Sequence, residues 1–148
     1  MSNYYALPLF ELQRVIYQKL TACEALTSII RKDEDDLGVY DAVDENTTYP
    51  YVTISEPYTS PFDTKTSNIE IITFTIHTWW KDNDEYSGKR KTYEMLSACQ
   101  QVLMAHNYSM PCAARVLSVT RRESRVIDDN SPGVKHGILT IQYKVQNI

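Results

Sequence analysis

Leu9, Leu12, Ile16 and Leu20 recur at steps of three and four, and Val15 widens the stripe. Glu11, Gln13, Arg14, Gln18 and Lys19 fill the other faces. That period predicts an amphipathic helix. Pro8 suits its first turn, where a missing N–H costs no hydrogen bond. Leu26, Ile29 and Ile30 predict a short further turn of helix. After Gly38 the apolar period falls to two. Residues 39–43 and 49–55 read as short strands around the polar turn Asp44-Glu45-Asn46-Thr47-Thr48. Pro50 cannot donate to a ladder, so it belongs at the start of the second strand. Residues 56–68 hold Pro57, Pro61 and several Ser and Thr, with no apolar period. They predict a long loop or a hairpin arm, and such segments are usually functional.

Residues 68–80 carry the strongest strand pattern. Ile72, Phe74, Ile76 and Thr78 alternate with Ile71, Thr73, Thr75, His77 and Trp79. Both sets are apolar or β-branched, which predicts a central strand covered on each side. Residues 81–88 turn the chain. Residues 89–105 predict a helix whose stripe holds Tyr93, Leu96, Gln100 and Leu103, joined by Ala98, Cys99 and Val102. Pro111 blocks its continuation. Residues 114–126 and 134–145 predict an antiparallel hairpin around Asp128-Asp129-Asn130-Ser131-Pro132-Gly133. In the last strand Leu139, Ile141, Tyr143 and Val145 face one way, and Ile138, Thr140, Gln142 and Lys144 the other. The order is α-β-β-β-α-β-β. It predicts a single α+β domain over residues 1–148: a mostly antiparallel sheet of about five strands flanked by two helices.

Composition narrows the function. The chain has 148 residues, with 15 Lys plus Arg against 19 Asp plus Glu, for a net charge of −4. A protein built to coat nucleic acid needs clustered basic residues, so this balance argues against one. No run approaches the roughly 18 apolar residues of a membrane helix. With 4 Gly there is little room for a phosphate-cradling loop. Cys23, Cys99 and Cys112 match no zinc spacing and give an odd count. They read as buried or idle thiols, with Cys23 and Cys99 inside predicted helices. Met1-Ser2-Asn3-Tyr4-Tyr5 lacks the basic and apolar regions of a secretory signal, so folding in a reducing cytosol is expected.

No catalytic constellation emerges. The run Asp33-Glu34-Asp35-Asp36 lacks the alternation, central Gly and distal Glu of a calcium loop, and reads as a solvated connection. His77 and His136 lie on strands and could be neighbours across the sheet, with His106 elsewhere; a structural or exposed role is expected for all three. A small metal-dependent enzyme using His77, His136 and the acidic run is the remote alternative, and no metal or cofactor is expected. Lys89-Arg90-Lys91 opens a helix against the dipole, which reads as a solvated first turn or as a site for a partner's acid. Arg121 and Arg122 lie mid-strand, where charge protects an edge or pairs between subunits. Trp79 and Trp80 point to opposite faces, so one can enter the core while the other meets a partner; packing of both in the core through a bulge is the alternative.

The surplus is therefore a long arm, exposed aromatics and sheet edges, which suits an assembly subunit. Gly38-Val39-Tyr40-Asp41-Ala42-Val43-Asp44-Glu45 and Tyr49-Pro50-Tyr51-Val52-Thr53-Ile54 resemble the tail completion proteins of long-tailed phages. These are also called tail terminator or tail-to-head joining proteins. Phe74-Thr75-Ile76-His77-Thr78-Trp79 and His136-Gly137-Ile138-Leu139-Thr140-Ile141 are similar to the same family. Ser55 and Trp80 depart from its usual Gly and small or polar residue. The resemblance implies a non-enzymatic ring, typically a hexamer, at the head-proximal end of the tail. Such a ring stops tail-tube growth and docks the head connector, and DNA passes its lumen unread. A head-completion or connector protein of the same assembly line is the alternative. The implied partners are further copies of the chain, which is monomeric when free, the tail tube protein and the head completion protein. The implied place is the virion, after assembly in the host cytoplasm. Contacts are expected at Tyr58, Phe62, Asp63 and Lys65 on the arm, at Trp79 and Trp80, and at Arg121 and Arg122.

Overall fold

Three long strands with period-two burial set the architecture. The computed structural model describes residues 7–147, so the segment weighed as a secretory signal lies outside the described residues. In chain order the elements are α1 (Leu9–Thr21), α2 (Glu24–Ile30), β1 (Val39–Tyr40), β2 (Tyr51–Ile54), β3 (Tyr58–Pro61), β4 (Asn68–Lys81), α3 (Arg90–Met104), β5 (Ala114–Asp128) and β6 (Val134–Asn147). The sheet runs β1-β2-β4-β6-β5, and β3 pairs with β4. Because β6 occupies one edge of β4 along its whole length, β2 and β3 lie end to end on the other. The architecture is α+β, as the pattern predicts, with a third helix in α2 and a sixth strand in β3.

The core lies on one face of this sheet. Ile72, Phe74 and Ile76 of β4 and Leu139, Ile141, Tyr143 and Val145 of β6 are buried there. They meet Leu12, Ile16 and Leu20 of α1, Leu26 and Ile30 of α2, and Met95, Leu96, Cys99 and Leu103 of α3. Burying each large side chain contributes roughly 1.5–3 kcal/mol. Gly137 faces Thr78 across the β4–β6 pair, and a Cβ there would sit 2.2 Å from the Thr78 hydroxyl. This is the close approach that lets α3 settle, with Leu96 directly above.

Several expectations change. The β4 strand is covered by helices on one face only; Ile71, Thr73, Thr75, His77 and Trp79 are half-buried by neighbours within the sheet. β-Branched and aromatic side chains shelter one another laterally, so their presence mimics the pattern of a doubly covered strand. The strand expected over residues 39–43 shrinks to two residues, and it pairs with β2 in parallel. Tyr93 is 55% exposed, off the buried stripe, which runs instead through Thr92, Met95, Leu96, Cys99 and Leu103. Cys23 caps α2 rather than lying within a helix.

A buried hydroxyl relay ties the C-terminal end of α3 to β6. The Tyr108 hydroxyl donates to the Leu103 carbonyl at 2.7 Å and lies 2.8 Å from the Tyr143 hydroxyl. Tyr108 has one proton, so Tyr143 is the donor in their shared bond. Tyr143→Phe removes a donor and is expected to cost about 1 kcal/mol. Tyr108→Phe leaves both the Tyr143 hydroxyl and the Leu103 carbonyl without this partner, and is expected to cost about 1–3 kcal/mol. Urea unfolding of the two variants checks the order; equal losses would contradict the direction of the relay.

Candidate functional site

The residues expected to make contacts fall into three separate places, set by sheet geometry. The first is the arm. Tyr58 pairs opposite Thr73 on the face that carries no helix and is 71% exposed. Residues 62–67 close the β3–β4 hairpin, so the segment is a hairpin arm rather than an irregular loop. Its tip is held from within: the Phe62 amide donates to the Ile69 carbonyl at 2.8 Å, and the Asp63 carboxylate accepts the Ile69 amide at 3.0 Å. The Lys144 ammonium sits 4.3 Å from the Phe62 ring centroid, and Gln146 donates to the Ser67 hydroxyl at 2.9 Å. Phe62 and Lys65 remain exposed. Fixed backbone and free side chains describe a presented surface.

The second place lies at the other end of β4, roughly 30 Å away at about 3.3 Å per residue. Trp79 is half-buried on the open face, and its indole N–H donates to the Thr53 hydroxyl at 3.2 Å. It stacks on the His136 ring at a centroid distance of 3.8 Å and an interplanar angle of 10°. Tyr51 stacks on its other side at 6.2 Å. His77 Nδ1 and His136 Nε2 lie 2.6 Å apart, joining the cross-strand neighbours that the sequence suggested. Burial lowers the pKa of His77, and burial with the adjacent His77 pushes His136 down to about 4. Both imidazoles are therefore neutral at pH 7. Trp80 points the other way, is 8% exposed and meets Tyr86 edge-on at 5.9 Å. It is core, and the folded subunit does not offer it to a partner.

The third place is the free edge of β5. Register shifts in the β5–β6 pairing fall between Val116 and Ser118 and between Arg121 and Glu123, so Arg122 sits at a bulge. Arg121 leans toward the helices and donates to the Ser124 hydroxyl at 3.2 Å; Ser124 in turn donates to Gln100 of α3 at 2.9 Å. Bulges and exposed arginines blunt a sheet edge against indiscriminate pairing. That edge therefore favours side-chain contacts over strand addition.

The remaining charged clusters are satisfied within the chain. The basic start of α3 finds acids of its own: Lys89 meets Asp128 at 3.5 Å, and Arg90 and Lys91 meet Glu94 at 3.2 and 3.6 Å. The Asp33 carboxylate accepts the amides of Asp35 and Asp36 at 2.8 and 2.7 Å. The Asp36 carboxylate accepts the Gly38 amide at 3.1 Å and the Tyr40 hydroxyl at 2.7 Å. The acidic run is thus a turn that caps itself. Among the described residues no three or more His, Cys, Asp or Glu converge as a metal cluster.

One surface escapes the sequence reading. Phe10 is 69% exposed, and with Arg14, Tyr17, Val39, Tyr40 and Ile54 it lines a groove of about 410 Å³ between α1 and the β1 edge. The signal was present: Phe10 and Tyr17 are seven residues apart on a helix, hence on one face, and that face is not the Leu9–Leu12–Ile16–Leu20 stripe.

The same fold and sequence pattern recur in known proteins. The family model described as tail completion protein gp17 matches residues 14–146. The tail completion protein gp17 of Bacillus phage SPP1 is 24% identical over 136 residues, 92% of each chain. Among solved structures, a chain of the virion of a native gene transfer agent (GTA) particle superposes with a TM-score of 0.80 at 18% identity. The superposition covers 97% of this chain and 100% of that one. The structure of bacteriophage SPP1 gp17 gives 0.59 at 20% identity, over 97% and 93%. At these identities the structural likeness speaks for the fold.

Proposed function

The chain belongs to the tail completion protein gp17 family, phage structural proteins, and we propose that it forms a ring, six subunits in all, at the head-proximal end of a phage tail. In this reading the ring ends the growth of the tail tube and joins it to the connector beneath the head. The observation that carries it is the family match over residues 14–146. The contact surfaces support it. A subunit with different surfaces at opposite ends of one sheet makes heterologous, head-to-tail contacts, and such contacts close into rings. The β5 edge and the groove beside β1 lie at the two ends of the strand order and would face adjacent copies. The arm and the aromatic end would face the tail tube and the connector. No chemical step is required of it, and a net charge of −4 per subunit suits a lumen along which DNA slides. The subunit is assembled in the host cytoplasm and retained in the virion.

Electron microscopy of tails made without the protein tests this directly. Overlong tubes are expected if it terminates growth. Tails of normal length beside unattached, filled heads would make it a joining factor only, and normal particles would overturn the proposal.

The β5 edge has its own test. Arg121→Glu with Arg122→Glu reverses charge at exposed positions, where surface changes alter stability by no more than about 0.5 kcal/mol. The variant is expected to keep its melting temperature and to form no closed ring on purified tail tubes, as seen by negative-stain electron microscopy. Undiminished rings would remove that edge from the contact set.

A further inference from the structure

We propose that His77 and His136 chelate one divalent late first-row transition ion, of the Zn²⁺, Ni²⁺ and Cu²⁺ class, on the open face of the sheet. The register makes the pair. β4 and β6 run antiparallel with His77 opposite Ile138 and Trp79 opposite His136, so the two histidines are diagonal neighbours on one face. Their nitrogens, Nδ1 of His77 and Nε2 of His136, already point at each other across 2.6 Å. Two imidazoles bound to one ion at about 2.0–2.1 Å hold their nitrogens roughly 2.9–3.4 Å apart, for angles from 90° to tetrahedral. Opening the pair by less than about 1 Å admits the ion, which a small rotation of each ring supplies. The ion then replaces a hydrogen bond between two neutral rings; the shared proton moves to the far nitrogen of the ring that carried it, so both ligands stay neutral imidazoles and no net proton is released.

Three features favour a binding site over a bare histidine contact. The Trp79 indole lies flat on the His136 ring, and its own N–H is anchored on Thr53, so the plane of one ligand is fixed in advance. Both rings are only half-buried, and among the described residues no helix covers this face, so an ion arrives from solvent. The donor set is nitrogen alone, which selects imidazole-preferring ions over Mg²⁺ and Ca²⁺. Two protein donors leave the remaining coordination positions to water.

The arrangement supplies its own reporter. Cu²⁺ on His136 lies next to the Trp79 indole, whereas Trp80 is turned to the opposite face. Titration of the purified protein with Cu²⁺ is expected to quench tryptophan fluorescence to a saturable end point at one ion per chain. Calorimetry with Zn²⁺ is expected to give the same stoichiometry. His77→Ala and His136→Ala are each expected to weaken binding roughly tenfold or more, the loss of one of two donors. His106→Ala is expected to leave it unchanged, and Trp79→Phe to remove most of the quenching while keeping the calorimetric binding. Substoichiometric Ni²⁺ added to the wild-type protein is expected to broaden the His77 and His136 ring signals in NMR before any other, a reading that needs no variant to fold. No saturable binding, binding abolished by His106→Ala, or binding that survives both His77→Ala and His136→Ala would each overturn the site.

Discussion

Replacing residues 63–68 by Asn-Gly, together with Phe62→Thr, is expected to leave a folded subunit that no longer joins tails to heads. The β3–β4 ladder survives, because the Phe62 amide still reaches the Ile69 carbonyl and a two-residue Asn-Gly turn fits the twist of the flanking strands. What is lost locally is small: the Gln146–Ser67 and Asp63–Ile69 hydrogen bonds and the Lys144–Phe62 contact. Together these amount to about 1–3 kcal/mol at exposed or part-buried sites. Thermal unfolding checks that part. The functional loss should be far larger, since the Phe62 ring and the Lys65 ammonium that the exchange removes are both exposed, the ring even with Lys144 beside it. Complementation of a phage lacking the gene reads it out as infectious titre and as unjoined heads and tails by microscopy. A normal titre would place the joining surface elsewhere, and the groove beside Phe10 becomes the next segment to test.

The elements that the sequence foretold are those whose burial is one-sided and long. In α1 the apolar stripe contains the whole observed buried set, Leu12, Val15, Ile16 and Leu20, and its first member, Leu9, is partly buried against the core. In β6 the four residues assigned to one face are all buried against the helices. Where burial is short or lateral the pattern misleads. A two-residue parallel strand has no period to read, and β1 owes its place to pairing with β2, not to its own alternation. The arm was ambiguous because Tyr58–Pro61 is exposed at both ends and half-buried between, so neither face announces a core. The histidine pair was half legible. Alternation put both rings on strands, but only the pairing of Trp79 with His136 brings them together, and register is a tertiary property. Trp79-Trp80 shows the strength of the simplest rule. Period-two alternation alone separated one indole into the core and one onto the open face.

Gly38→Ala is expected to be the most destabilising single exchange outside the core, at roughly 2–5 kcal/mol from a left-handed backbone and an overpacked contact together. Gly38 has φ +83°, and a Cβ there would lie 2.3 Å from the carbonyl oxygen of Ile30. That oxygen belongs to the backbone at the end of α2, so it cannot rotate aside as a side chain would. The glycine also carries two bonds that fix the junction: its amide donates to Asp36, and its carbonyl accepts the Val52 amide at 2.9 Å. Moving it therefore loosens α2, the acidic turn and the β1–β2 edge at once. Gly133→Ala is the control. Gly133 has φ +75° but a Cβ there would meet only ordinary van der Waals contact, its nearest neighbour being the Asp82 Cβ at 3.7 Å. It should show the conformational cost alone, about 1–2 kcal/mol. Urea midpoints at unchanged slope give the difference between the two, which is the backbone contact itself. Equal midpoints would mean that α2 shifts freely, and the groove floored by Val39 and Tyr40 would then lack the rigid wall that a docking surface requires.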